Sequence, residues 1–292
     1  MTTHQTRLGY ILTFVVVLAF GIYPSVAPVG LSSGASPLGF VLAAMVCSLV
    51  GVSVVAVAQG NALALERSQA PARILLGLIF FLEHVCLLFA LNYLEVPVAM
   101  CLIYTYPFMV GAAAVVTGRH REAGSLLSTL ILCLVGITMV LGFSASQFSL
   151  LGISFALAQA MLATARILLT AKLVVGVQGI VLTTQMLAVG TLFGGITALV
   201  TQPSFPQDAL GWGAVVLAGL SGMVGHGCLA LALQRISPAP FAVIMNLEPV
   251  VTAILAAVFI GQVLMPIQYV GAALVVAAVI WYARSKMVTE AM

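Results

Sequence analysis

Charged residues are scarce in this chain. Only 6% of its 292 residues are Asp, Glu, Lys or Arg, whereas 63% are hydrophobic. The hydrocarbon core of a bilayer is about 30 Å thick and is crossed by a helix of about 20 apolar residues, a length that many segments of this sequence supply. No polar stretch is long enough to form a water-soluble domain. The composition therefore predicts a multi-pass protein that lies within a lipid bilayer.

The sequence also lacks the motifs of several other protein classes. It contains no Walker motif, no HExxH-like spacing and no CxxC pair. Its few cations lie in short segments between apolar runs, so they indicate membrane orientation rather than nucleic-acid binding. We therefore expect no enzymatic activity, no cofactor, no metal ion and no nucleic-acid partner. Five cysteines within apolar segments are expected to pack as small apolar residues: Cys47, Cys86, Cys101, Cys133 and Cys228.

Ten apolar segments are long enough to cross a membrane as helices. The predicted fold is therefore all-α, with ten transmembrane helices. The predicted spans are Leu8 to Val29, Pro37 to Ala58, Pro71 to Leu91, Val96 to Gly118, Ser125 to Gly142, Leu150 to Ala171, Gly179 to Thr201, Leu210 to Leu233, Pro238 to Ile260 and Pro266 to Ala283.

Positive charge predicts the orientation of this bundle. If the N-terminus is cytoplasmic, every Lys and Arg falls in or near a cytoplasmic segment, as the positive-inside rule requires. The opposite segments carry only Glu95 and Asp208. Both termini are therefore expected in the cytoplasm. The cations are Arg7, Arg67, Arg73, Arg119, Arg121, Arg166, Lys172, Arg235, Arg284 and Lys286.

Eight of the twelve prolines fall into two groups. Five stand at predicted helix starts, where a missing N–H costs nothing, namely Pro37, Pro71, Pro97, Pro238 and Pro266. Pro24, Pro107 and Pro249 instead lie within apolar runs, where each frees a backbone carbonyl. These three are predicted hinges or kinks, and they either border a cavity or only shape helix packing.

Two segments of the chain resemble each other at an offset of 142 residues. The run from Glu83 to Leu91 aligns with the run from Gly225 to Leu233, and in the same register Pro107 meets Pro249. The alignment predicts a first five-helix repeat at residues 1–143 and a second at residues 144–292. Because five is odd, the second repeat enters the membrane from the opposite side. Such inverted repeats are typical of secondary transporters with a central cavity near the midplane.

Several motifs resemble one known family. They are Val96 to Ala99, Tyr104 to Pro107, Asn246 to Val251, the pair Gly261 and Gln262, and Gln268 to Leu274. Together they resemble the EamA-type transporters of the drug/metabolite transporter superfamily, over the whole chain and most closely in its last 60 or so residues. The resemblance implies two inverted five-helix repeats around a central cavity and export of small metabolites across a bacterial inner membrane. The family commonly has Gly-Glu where this chain has Gly261-Gln262.

Ionisable side chains at membrane depth are the main candidates for a functional site. Each costs roughly 2.5–3.5 kcal/mol to insert, so it is kept where it faces protein or water. His84 and His226 occupy equivalent repeat positions, so they are predicted at similar depth on facing helices, where they either carry a coupling proton or donate to backbone carbonyls. Glu248 precedes Pro249 and either lines the pathway or holds the kink through a hydrogen bond. Glu83 has no acidic counterpart in the second repeat and is a candidate proton or cation site.

Four further residues complete the candidate site. Arg166 either extends its side chain to the cytoplasmic interface or receives a carboxylate or phosphate of the substrate. Tyr104 and Tyr106 flank the predicted kink and either form an apolar wall with polar tips or only pack. Asn246 pairs with Tyr104 in the repeat alignment and belongs to the family motif.

The favoured function is a secondary transporter that exports a small metabolite by alternating access, with an amino-acid-like or amphiphilic substrate and a proton as the candidate coupling ion. One alternative is a facilitator that moves solute downhill without ion coupling. A remote alternative is an intramembrane metalloenzyme with ligands from His84, His226, Glu83 and Glu248, although no supporting motif spacing is present. The sequence does not predict an oligomeric state.

Overall fold

The structure is a computed structural model, and it describes residues 3–61, 63, 69–118, 123–142, 149–260 and 263–291. Within these ranges all regular structure is helical, and ten segments are long and apolar enough to cross a membrane. Two of the ten spans consist of two shorter helices each. The helices are α1 (Thr3–Ser32), α2 (Pro37–Ala58), α3 (Ala70–Tyr93), α4 (Val96–Ile103), α5 (Tyr106–Val116), α6 (Ala123–Leu141), α7 (Leu150–Leu173), α8 (Gly179–Thr201), α9 (Ala209–Leu233), α10 (Pro238–Met245), α11 (Glu248–Ile260) and α12 (Pro266–Ala291).

Local sequence signals explain where these helices begin. Each of the five predicted start prolines stands within the first two residues of its helix, so this prediction is confirmed. Ser36 caps α2 by accepting a hydrogen bond from the Gly39 N–H, and Ser149 caps α7 by accepting from Gly152. Asp208 caps α9 in the same way. These caps satisfy N–H groups that the first turn of a helix leaves without a partner.

The packing of the helices is consistent with an inverted repeat. Helix α1 packs mainly on α9, and α7, its counterpart in the second half, packs mainly on α3. Helices α2 and α9 pack together as their counterparts α8 and α3 do. The first helix of each half therefore packs against the third helix of the other half, so the two halves interlock. The division of the chain at residues 143 and 144 stays a prediction.

Glycines permit the closest helix crossings. A Cβ atom at Gly271 of α12 would lie 2.6 Å from the Gly136 carbonyl oxygen of α6, and one at Gly136 would lie 2.8 Å from the Gly271 carbonyl oxygen. Since backbone atoms cannot move aside as a flexible side chain can, both positions need glycine. The fifth and tenth spans thus meet backbone to backbone, as small-residue packing in membranes allows.

Polar contacts mark the two ends of the bundle. At one end the Arg235 Nε donates to the Gln5 side chain over 3.2 Å, and the Gln234 side chain donates to the carbonyls of Val174 and Val177. Described cations gather at this end, including the exposed Lys172. It is the end that the sequence predicts to be cytoplasmic. Arg67, Arg119, Arg121 and the side chain of Lys286, which belong to the same prediction, lie outside the described residues.

The opposite end is held by a contact between two loops. Gln207 N donates to the Ser33 carbonyl over 2.8 Å, and Ser36 N donates to the Ser204 carbonyl over 3.0 Å. We call these four residues the loop clasp. It ties the α1–α2 connection of the first half to the α8–α9 connection of the second, which contains Pro203 and Pro206.

Candidate functional site

Two spans are interrupted at equivalent positions. Helix α4 ends at Ile103 and α5 begins at Tyr106, while α10 ends at Met245 and α11 begins at Glu248. The two breaks are 142 residues apart, the offset of the sequence repeat. Pro107 and Pro249 stand second in the helices that follow, and their missing N–H groups cannot bond back to the preceding turn. In transporters such broken helices at membrane depth surround the binding site.

Side chains satisfy part of the backbone at each break. The Asn246 Nδ2 donates to the carbonyls of Ala242 and Val243 at 2.9 and 3.1 Å. The Thr105 Oγ1 donates to the Leu102 carbonyl over 2.6 Å. Asn246 is 2% exposed, so in this conformation it stabilises the end of α10.

The third predicted hinge differs from the other two. Pro24 lies inside α1, which continues through it without interruption. The neighbouring Tyr23 packs edge to face against Phe40 of α2, with ring centroids 5.9 Å apart. Pro24 is therefore not at a helix break, unlike Pro107 and Pro249.

A buried ion pair joins the two halves next to these breaks. The Arg166 Nε of α7 lies 2.6 Å from the Glu83 Oε2 of α3, and the Arg166 Nη2 donates to the Glu83 Oε1 over 3.1 Å. Both side chains are less than a tenth exposed. A bidentate pair of this kind compensates for removing the two charges from water. The guanidinium thus pairs with a carboxylate inside the bundle and does not extend into solvent at a helix end.

Gln159 completes the surroundings of Glu83 and was not predicted. Its Nε2 donates to the Glu83 Oε1 over 3.4 Å, and the residue is 7% exposed. The sequence spacing could have identified it. Gln159 precedes Arg166 by seven residues, or two helical turns, so both lie on the same face of an otherwise apolar helix.

Two polar atoms of this group have no hydrogen-bond partner among the described residues. They are the Arg166 Nη1, a donor, and the Gln159 Oε1, an acceptor, and both are buried. Buried polar groups are rarely left unpaired because each costs about 1–3 kcal/mol. A bound polar molecule could therefore accept a hydrogen bond from the Arg166 Nη1 and donate one to the Gln159 Oε1.

Glu248 lies close to this ion pair but outside it. It begins α11 and is half-buried, and it interacts with the Tyr104 hydroxyl. Arg166 and Glu83 are near enough to act on it electrostatically. Glu248, Arg166 and Glu83 also act electrostatically on Tyr106. The Tyr106 ring centroid lies 6.3 Å from that of Tyr104. The structure therefore brings Glu83, Arg166, Tyr104, Tyr106 and Glu248 together, from four separate spans.

The two histidines flank one phenylalanine. The Phe80 ring lies 4.6 Å from the His84 ring and 5.1 Å from the His226 ring, centroid to centroid. Each histidine makes the same backbone contact one turn earlier, from Nδ1 to the Phe80 carbonyl for His84 and to the Gly222 carbonyl for His226. They are thus close to each other on α3 and α9, with Phe80 between them. Both are half-buried, and Arg166 acts electrostatically on both.

Two cavities among the described residues differ in size. The smaller, of about 10 Å³, lies beside His84 between α2, α3 and α8, with room for about one water molecule. The larger, of about 120 Å³, lies toward the cation-rich end between α5, α7 and α10. Its lining includes Ala113, two turns along α5 from Tyr106, and Leu168, next to the Arg166 turn of α7.

A metal site would need several ligating side chains near one another. In the ranges that the structure covers, no group of three or more His, Cys, Asp or Glu side chains is arranged to hold a metal ion. The acidic and imidazole groups at membrane depth instead pair with Arg166, with tyrosine or with backbone carbonyls.

Comparison with known proteins identifies the second half of the chain. Residues 150–284 match the EamA-like transporter family, which is part of the drug/metabolite transporter superfamily. The predicted resemblance is confirmed for these residues, which fall within the predicted second repeat. The pair Gly261 and Gln262, where the family commonly has Gly-Glu, lies outside the described residues.

The fold also has solved counterparts. One, titled "Crystal structure of protein", matches with a TM-score of 0.79 and 18% sequence identity over 96% of each chain. At this identity the likeness shows the fold alone. A search of curated proteins finds no match to the chain.

Proposed function

We propose, from the EamA-like transporter domain that residues 150–284 form, that this membrane protein is a secondary transporter that exports a small metabolite across the bacterial inner membrane by alternating access. The observation that carries the proposal is the Glu83–Arg166 pair. It links α3 of the first half to α7 of the second, beside two broken helices. Ion pairs at membrane depth are rare and mark substrate or ion pathways.

The site's chemistry supports an amino-acid-like or amphiphilic substrate. The Arg166 Nη1 is a donor for a carboxylate, and the Glu248 carboxyl group and the Gln159 Oε1 are acceptors for an amine or hydroxyl group. Tyr104 and Tyr106 supply aromatic surface beside these polar groups. A solute with one polar end and one apolar end matches this combination.

The arrangement of the two ends supports alternating access. The loop clasp joins the halves at one end, while the cavity of about 120 Å³ lies toward the cation-rich end. If that end is cytoplasmic, as the positive-inside rule predicts, the cavity lies toward the compartment from which an exporter loads. Loading from the cytoplasm and release after the clasp separates would complete the cycle.

The first experiment identifies the substrate. Cells with and without the protein are grown in a panel of amino acids and related metabolites, and resistance and efflux are compared. An exporter raises the tolerated concentration of at least one metabolite and accelerates its efflux. Equal tolerance and equal efflux across the panel would contradict the proposal for those substrates.

The second experiment tests the site in proteoliposomes. The double variant Glu83→Gln with Arg166→Gln removes both charges of the pair together, so neither partner is left behind as an uncompensated charge. We expect it to abolish transport while folded yield is retained. Glu95→Gln is the matched control, since Glu95 is exposed in a connection between helices. Full transport by the double variant would remove the ion pair from the mechanism.

A facilitator without ion coupling is the alternative function. An imposed pH gradient separates the two. A proton-coupled exporter is accelerated by the gradient, whereas a facilitator of a neutral solute is not.

A further inference from the structure

We propose that Glu248 carries the coupling proton, and that Glu83 remains the permanent counter-ion of Arg166. The proposal rests on the transport function proposed above and assigns different roles to its two carboxyl groups. It starts from a count of charge at membrane depth. Among the described residues, the cluster holds two carboxyl groups and one guanidinium.

The count leaves one negative charge in excess. Arg166 neutralises one carboxylate, and the second has no cation of its own. A net charge in a low-dielectric interior is costly unless it is paired or removed by a proton. One proton bound to one carboxyl group therefore makes the whole cluster neutral.

Glu83 is the wrong group to take that proton. It accepts from the Arg166 Nε at 2.6 Å, from the Arg166 Nη2 at 3.1 Å and from the Gln159 Nε2 at 3.4 Å. A proton on this carboxyl group would convert an acceptor into a donor facing other donors and would leave the Arg166 charge buried without a counter-ion. It would also loosen the contact between the halves.

Glu248 can take the proton without these losses. Its direct partner is the Tyr104 hydroxyl, which can either donate to a carboxylate or accept from a carboxylic acid. The side chain is half-buried, so it retains accessible surface, whereas Glu83 is 7% exposed. It also begins α11 at the helix break, where a change of charge acts on the free N–H groups of the first turn.

Apart from Glu83 and Arg166, which pair with each other, the described residues place no further charged group among those that act on Glu248. The facing titratable and charged groups are Tyr104, Tyr106 of α5, Arg166 of α7 and Glu83 of α3. Helices α1 and α6 also pack on α11. Between Leu8 and Ser32, and throughout α6, their sequences hold no charged residue or histidine, and the titratable residues there are Tyr10, Tyr23 and Cys133.

A hydrophobic carbodiimide tests the assignment without a substrate. Dicyclohexylcarbodiimide adds to a protonated carboxylic acid within the bilayer and rearranges to a stable N-acylurea, which mass spectrometry locates on a peptide. We expect the adduct on Glu248, with a yield that falls at least several-fold as the pH rises, and none on Glu83. The variant Glu248→Gln should carry no intramembrane adduct. An adduct on Glu83 of the wild-type protein, or no adduct on Glu248 at any pH, would overturn the proposal.

Transport separates this proposal from the function on which it rests. In proteoliposomes, an imposed pH gradient should accelerate transport of the identified metabolite by the wild-type protein several-fold, while Glu248→Gln should show no acceleration. If wild-type transport does not respond to the pH gradient, the assignment of the coupling proton to Glu248 is contradicted, but the transport function is not. If the adduct forms on Glu248 but the protein transports no metabolite, the transport function is contradicted, whereas Glu248 is still supported as the protonated carboxyl group.

Discussion

At the scale of single residues, Arg166 and Glu83 stabilise each other at a depth where neither charge is stable alone. Removing one partner of a buried pair leaves the other uncompensated, which typically costs about 3–5 kcal/mol. We therefore expect Glu83→Gln to lower the free energy of unfolding by about that amount. Thermal unfolding in detergent measures the loss as a lower midpoint.

The double variant Glu83→Gln with Arg166→Gln is the matched comparison. Because it removes both charges, it should recover most of the stability that Glu83→Gln loses. Glu95→Gln should stay close to the wild-type midpoint, since Glu95 is exposed. A double variant as unstable as Glu83→Gln would mean that the charge of Arg166 is not the source of the cost.

The residues of the site were only partly predictable. Glu83, Arg166 and Glu248 were found because ionisable groups are conspicuous in apolar helices. The pairing of Glu83 with Arg166 was not predicted, since the hydrophobic pattern does not specify which face of α3 meets which face of α7. Gln159 was missed because an uncharged amide breaks the apolar pattern less than a charge does. The two histidines were placed at similar depth by the repeat alignment, but Phe80 between them carries no polar signal.

At the scale of elements, we expect the cap of α9 to be sensitive to acid. The Gly211 N–H, at 2.7 Å, and the Ser33 hydroxyl both favour the ionised Asp208, and they lower its pKa from the usual value of 3.8. A lowered pKa means that the carboxylate contributes stability above about pH 4, and that this contribution is lost as the pH falls through the folded-state pKa. Asp208 touches Ser33 of the loop clasp, so acid should weaken that clasp. We expect a small loss because Asp208 is exposed.

The measurement compares wild type with Asp208→Asn by thermal unfolding between about pH 6 and about pH 3. The variant should have a lower midpoint at the higher pH, and the difference should shrink as the pH falls, because the wild-type residue becomes uncharged too. A constant difference across the range would show that Asp208 acts only through its shape.

The elements themselves were largely predictable. Ten apolar runs and five start prolines predicted ten spans, and the structure contains them. Pro107 and Pro249 predict kinks close to the breaks after Ile103 and Met245, although the apolar runs predict a single helix for each span. Pro24 shows that a proline within an apolar run is not sufficient to predict a helix break. Helix α1 continues through it, and the neighbouring Ser25 hydroxyl bonds to the Gly21 carbonyl of the same helix and lies near the Thr252 carbonyl of α11.

At the scale of the whole molecule, the even number of spans predicts both chain ends on one side of the membrane. The distribution of Lys and Arg predicts that this side is the cytoplasm. A reporter that is active only in the cytoplasm, fused to either end, should be active in both fusions. A reporter fusion at the loop between α8 and α9 should be inactive. Activity at only one end would contradict the ten-span topology.

Alternating access requires that the loop clasp separates during each cycle. Gln207 N lies 2.8 Å from the Ser33 carbonyl oxygen, so cysteines at these two positions are the choice for a cross-link across the clasp. In a background without the five native cysteines, we expect Ser33→Cys with Gln207→Cys to lose transport on oxidation and to regain it on reduction. Each single cysteine variant controls for the substitution, and its transport should not respond to the oxidant. Because a covalent clasp cannot open, undiminished transport by the oxidised double variant would show that the halves do not separate at this end, and the solute would then need another exit.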